Sequence, residues 1–138
     1  MPYRNLISKH LNDLKENIKV EMEYKNLDNT GNASKSLEVK GTQLLGNDYI
    51  YFLDQGRRPG KFPPVATLVQ WVRSKLGLEG TEAKQVAFLV GRKISREGTD
   101  IFKDKSKGLQ LDELIDDMIE NLLEETLDIA KVEALKFL

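Results

Sequence analysis

The chain contains no cysteine, which excludes disulfides and thiolate metal sites. Its only histidine is His10, so a histidine-based metal site, triad or pH switch would need unusual support. Trp71 is the single tryptophan, and no basic-aromatic alternation surrounds it as a base-stacking platform would require; core or interface is the expectation. Proline is scarce, yet three of the four prolines fall together at 59, 63 and 64. No apolar run approaches the roughly 20 residues of a membrane span. The N-terminus, MPYRNLISKHLNDL, alternates polar and apolar residues and lacks the apolar core of a signal peptide. A soluble protein made in the cytoplasm is expected.

What is present is ordinary in amount and uneven in placement. The 138 residues, 40% hydrophobic and 31% charged, fit one domain over 1–138 that can bury a core without staples. The net charge of −1 conceals an asymmetry. Residues 57–107 carry 12 basic and 5 acidic side chains, a balance of +7, whereas 108–138 carry 2 and 9, a balance of −7. Regions of opposite sign favour ordered association within or between subunits.

Periodicity predicts a helix over 3–20, with Leu6, Ile7, Leu11, Leu14 and Ile18 on one face. Val20, Met22 and Tyr24 then alternate with Glu21 and Glu23, reading as a short strand or a frayed helix end. The turn cluster NLDNTGNAS (26–34) predicts a flexible loop. An antiparallel pair is expected from 36–43 and 49–54, joined at Asn47-Asp48. Pro64 begins a helix over 65–76, which Gly77 ends, and Thr81 caps the next. Residues 96–108 read as a polar loop containing only Ile101 and Phe102 as apolar residues. A helix over 112–137 follows, about 40 Å long at 1.5 Å per residue, so part of it is expected to pack on another subunit. The fold class read from this order is α+β, a small antiparallel sheet packed by helices with a long acidic C-terminal helix.

Candidate chemistry is thin. In GRRPGK (56–61) three residues separate the glycines and Phe62 follows Lys61, so the loop departs from the nucleotide-binding pattern. Arg57, Arg58 and Lys61 have two readings: contacts to DNA phosphates, or pairing with carboxylates, including those on a neighbour's acidic helix. Arg92, Lys93 and Arg96 stand at a helix C-terminus, where cations complement the dipole. Asp116, Glu120 and Glu124 lie on the polar side of the last helix and read as a solvated or interface face. His10 reads as surface or as a satisfied core residue. No catalytic, metal-binding or cofactor-binding set emerges, and no enzyme is expected.

Three segments carry a resemblance. NTGNASKSLEV (29–39), YIYFLDQGRRPGKFPPVATLVQWVRSKLGL (49–78) and VAFLVGRKISREGTDIF (86–102) resemble, in this order, the tail-completion or neck proteins of tailed bacteriophages. They cover 29–104, with the 49–78 block the most specific; the long acidic helix over 109–137 differs from the short one that ends many members. The resemblance implies a non-enzymatic virion protein of the head–tail connector, without cofactor or metal. It implies a homo-oligomeric ring between the portal and adaptor of the head and the tail. Genomic DNA would pass through without sequence-specific binding, and no membrane is involved. The protein would reside in the virion neck or tail, and in the host cytoplasm during assembly. The expected interface comprises Arg57, Arg58, Pro59, Lys61 and Phe62 of the corner, Arg92, Lys93 and Arg96, and Asp116, Glu120 and Glu124. The basic corner is expected at subunit contacts, and the acidic helix face or loop 26–34 nearer the channel. The alternative is a non-enzymatic DNA-binding module using the basic 57–107 region; near-neutral overall charge and the absence of a DNA-binding motif weigh against it.

Overall fold

The computed structural model describes residues 2–27 and 31–136. Its frame is an antiparallel pair of long helices, α1 (Pro2–Tyr24) and α7 (Leu111–Leu135). Between them in sequence come α2 (Asn32–Ser36), a hairpin of β1 (Glu38–Lys40) and β2 (Gln43–Leu45), and α3 (Tyr49–Gln55). A helical hairpin of α4 (Val65–Leu76) and α5 (Gly80–Glu97) follows, then α6 (Asp100–Lys103) and a 3₁₀ turn over Lys105–Lys107. The molecule is mostly helical with one two-stranded antiparallel sheet, so the expected α+β arrangement holds in outline with helix dominating.

α1 buries Leu6, His10, Leu14, Ile18 and Met22, a stripe at every fourth residue. The same spacing extends the helix through 20–24. Met22 faces inward while Val20 and Tyr24 are exposed, as helical rather than strand geometry requires. The main core joins Leu14, Ile18 and Met22 to Ala33, Leu37, Ile50, Leu53 and Leu109, with Leu114, Ile115 and Met118 of α7 packed against it. Two polar links set the direction of the pair. Lys25 Nζ, just past α1, donates to Gly108 O at 2.6 Å and Gln110 Oε1 at 2.9 Å, beside the start of α7. Far along α7, Glu125 meets Lys9 at 2.8 Å and His10 at 2.5 Å. His10 is thus a core residue satisfied by a carboxylate. A separate small core of Leu68, Val72, Ala83 and Ala87 holds α4 to α5, with Trp71 at its edge.

The strand pairing differs from the expected one. The ladder joins Glu38–Lys40 to Gln43–Leu45 across Gly41-Thr42, with Lys40 opposite Gln43, and Gly41 takes φ 58°. The expected first strand therefore contains the turn. The expected second strand is α3: Ile50, Leu53 and Asp54 are buried at i, i+3 and i+4, whereas Tyr51, which alternation would bury with Leu53, is 61% exposed. The aromatic, β-branched composition misled because strand preference depends on packing context more than on the residues themselves. Asn47-Asp48 consequently leads into a helix rather than joining strands. Within the predicted loop 26–34, residues 28–30 lie outside the described residues and 32–34 begin α2. Helix 65–76 is as predicted, with Pro64 before it and Gly77 left-handed after it. α5 begins at Gly80 after Glu79, so Thr81 lies in its first turn instead of capping it. No helix among the described residues is long and apolar enough to cross a membrane.

Candidate functional site

The Gly/Pro corner over 56–64 is built by backbone contacts to the segment around the end of α5. Gly56 ends α3, its amide donating to Phe52 O at 2.8 Å. It takes φ 74°, and a Cβ there would lie 2.3 Å from the Phe102 amide nitrogen and 2.6 Å from Thr99 Oγ1. Gly98 mirrors it at φ 81°, where a Cβ would stand 3.0 Å from Arg57 O. Both positions thus combine a left-handed backbone with a close approach that only glycine allows. Between them the chain forms a reciprocal clasp: Arg57 N donates to Thr99 Oγ1 at 2.9 Å, and Thr99 N donates to Arg57 O at 3.0 Å. Thr99 also caps α6 through Phe102 N.

The clasp continues in both directions. Gly60 N donates to Ser95 O at 2.8 Å, and Phe62 packs over Gly91 and against Phe88, ring centroids 5.5 Å apart. On the other side, Leu109 N donates to Leu53 O at 3.0 Å. Asp54, 8% exposed, accepts from Leu111 N at 2.8 Å, capping the start of α7. Asp104 caps the 3₁₀ turn, and the Ser106 hydroxyl and amide hold its carboxyl below the usual range. Of the expected polar loop 96–108, Arg96 and Glu97 are the end of α5, and the rest is a set of short capped turns. Threonine followed by Asp100 in a helix's first turn is the sequence signal that marks it.

This architecture determines where the predicted interface residues stand. Arg58, Pro59, Lys61 and Phe62 are exposed on the outside of the corner. Arg57 is half-buried, its guanidinium 4.1 Å from the centre of the Phe52 ring. Arg92, Lys93 and Arg96 are exposed on α5 and line a shallow groove with Leu89 and Glu97. Because Gly60 is bonded to Ser95, the corner cations and the α5 cations belong to one end of the molecule. None of these six cations has an ion-pair partner among the described residues. Asp116, Glu120 and Glu124 are exposed on α7, and the structure does not bring them to the cations. The predicted set is therefore two surfaces of opposite sign.

Sequence reading passed over the capping roles of Asp54 and Thr99, and it placed Glu125 with the other carboxylates on the solvated or interface side of the last helix, whereas Glu125 turns to Lys9 and His10 of α1. The Glu125 carboxyl is held below the usual range, first by the hydrogen bond from Lys9 and next by His10; Lys9 is raised by the same contact. No group of three or more His, Cys, Asp or Glu side chains among the described residues is arranged to hold a metal ion. No protein-family model, curated protein or solved structure matches the chain.

Proposed function

We propose that this chain is a structural component of a tailed-phage neck, forming a ring that joins the portal and adaptor of the head to the tail around the DNA channel. The observation that carries the reading is the Arg57–Thr99 clasp. It locks two of the segments that carry the resemblance, 49–78 and 86–102, into one unit. Gly56, Gly98 and Thr99 of those segments have their physical use there, with Pro59 close to Gly98. The corner is spent on holding its own shape, and Arg58 and Lys61 are left facing outward. A rigid surface bearing unpaired guanidinium groups suits carboxylate recognition across a subunit contact, as a connector that transmits no chemistry requires.

The test is the mass of the purified chain in solution, alone and mixed with the virion's portal–adaptor complex. Under this reading the chain joins the complex as a defined multimer. A monomer that ignores the complex and shifts duplex DNA, with binding lost steeply as salt rises, overturns it in favour of a DNA-binding module that uses the basic 57–107 region.

A further inference from the structure

We infer that copies of this chain associate head to tail, the outer face of α7 of one copy seating on the outer face of α5 of the next. The inference deepens the ring reading and rests on it only for closure; the contact itself is argued from two surfaces of the chain. On α7, Ile119, Leu123 and Leu127 form a row at i, i+4 and i+8, and Leu123 is 57% exposed. The inner face of α7, with Leu114, Ile115 and Met118, is committed to the core it shares with α1, and this row is left exposed. Asp116, Glu120 and Glu124 form a second row alongside it. On α5, Phe88 and Leu89, the latter 60% exposed, lead into Arg92, Lys93 and Arg96. Phe62 widens that apolar floor through its contact with Phe88.

Each surface therefore joins exposed apolar residues to charges mainly of one sign, and the two signs are opposite. On α7 the apolar and acidic rows run side by side; on α5 Phe88 and Leu89 precede the cations along the helix, with Glu97 at the end of the groove. The apolar row 119–127, the acidic row 116–124 and the mixed span 88–96 each advance eight residues, about 12 Å along a helix. A second copy would cover the apolar residues and answer the charge of both faces. Symmetric pairing of α7 with α7 would set acid against acid, and like charges facing one another across a contact oppose it. A polyanion meets the same repulsion at α7. A contact between two different faces of the same chain repeats from copy to copy, closing into a ring or running on as a filament.

The test uses charge exchange in the full chain. Glu120→Lys with Glu124→Lys reverses one face, and Arg92→Glu with Arg96→Glu reverses the other. Each pair alone is expected to abolish the multimer seen by sedimentation velocity, on its own or on the portal–adaptor complex. All four substitutions in one chain, or a mixture of the two reversed chains, should restore it. The absence of native cysteine permits a direct check. Leu89→Cys with Leu123→Cys should give a ladder of disulfide-linked oligomers under oxidation, alone or on the complex, and neither substitution alone should. No ladder in either setting, a covalent dimer from Leu123→Cys alone, or no restoration on charge exchange overturns the inference. The neck reading fails by a different result: the ladder forms, but the chain never joins the portal–adaptor complex.

Discussion

Thr99 shows how a single side chain organises this molecule. Its hydroxyl accepts from Arg57 N and Phe102 N, tying the corner to the segment after α5 and capping α6 in the same place. The approach is close enough that Gly56→Ala would combine a left-handed alanine with a Cβ 2.3 Å from the Phe102 amide. The expected loss is on the order of 2–4 kcal/mol, strain and overpacking together, measured by urea denaturation; an unchanged midpoint would mean that the clasp has slack. Asp54 has a comparable role at α7. Asp54→Ala removes the acceptor for Leu111 N and should cost roughly 1–2 kcal/mol, with Asp54→Asn recovering most of it. Glu125 adds a pH signature. Its depressed carboxyl contributes stability above the ordinary glutamate pKa of about 4.3, lost as pH falls through its lower folded value. The raised Lys9 contributes below the ordinary lysine pKa of about 10.4, lost as pH rises through its higher folded value. Glu125→Gln removes both shifts, so its Tm difference from the wild type should be largest between those limits and narrow at both extremes. A difference constant with pH would assign the effect to packing.

At the scale of elements, the long-period features were legible in the sequence and the short ones were not. α1, α4, α5 and α7 each repeat an apolar stripe over several turns, enough for the 3.6-residue period to stand above composition. α3 has only seven residues, and its Tyr, Ile and Phe content matches a strand as well as a helix; what decides is the core that Ile50 and Leu53 enter, which no local window contains. The hairpin was placed late because Asn47-Asp48 drew the turn away from Gly41-Thr42. The six cations of the candidate site were legible as two groups, one in the corner and one on α5. That they share one end depends on the Gly60–Ser95 hydrogen bond, which joins residues far apart in sequence. The elements also divide into two cores of unequal size. The α4–α5 hairpin closes over four buried residues, while α1 and α7 share the larger cluster. Regions with fewer buried contacts open at lower free energy. Hydrogen exchange should therefore be faster in α4 than in the middle of α1. Equal protection throughout would show that the clasp couples the two cores into one cooperative unit.

For the whole molecule, the decisive quantity is where charge is left unpaired. The +7 of 57–107 and the −7 of 108–138 are not neutralised against one another by ion pairs among the described residues. Each face therefore projects a field that a neighbour can answer, and assembly should weaken as salt shortens the screening length from about 10 Å at 0.1 M toward about 3 Å at 1 M. Arg57→Glu with Arg58→Glu is expected to leave the monomer folded and to abolish ring or neck assembly. The two positions are not equivalent. Arg57 covers the Phe52 ring, and its backbone is part of the clasp, so its reversal also uncovers an aromatic face. Arg58 is exposed on the outside of the corner, and its reversal changes charge alone. Circular dichroism and denaturation should therefore show Arg58→Glu as stable as the wild type, while its incorporation into the portal–adaptor complex falls. Full incorporation of Arg58→Glu together with loss for Arg57→Glu would move the corner's contribution from charge to shape. Full incorporation of the doubly reversed chain would remove the corner from the assembly contact altogether.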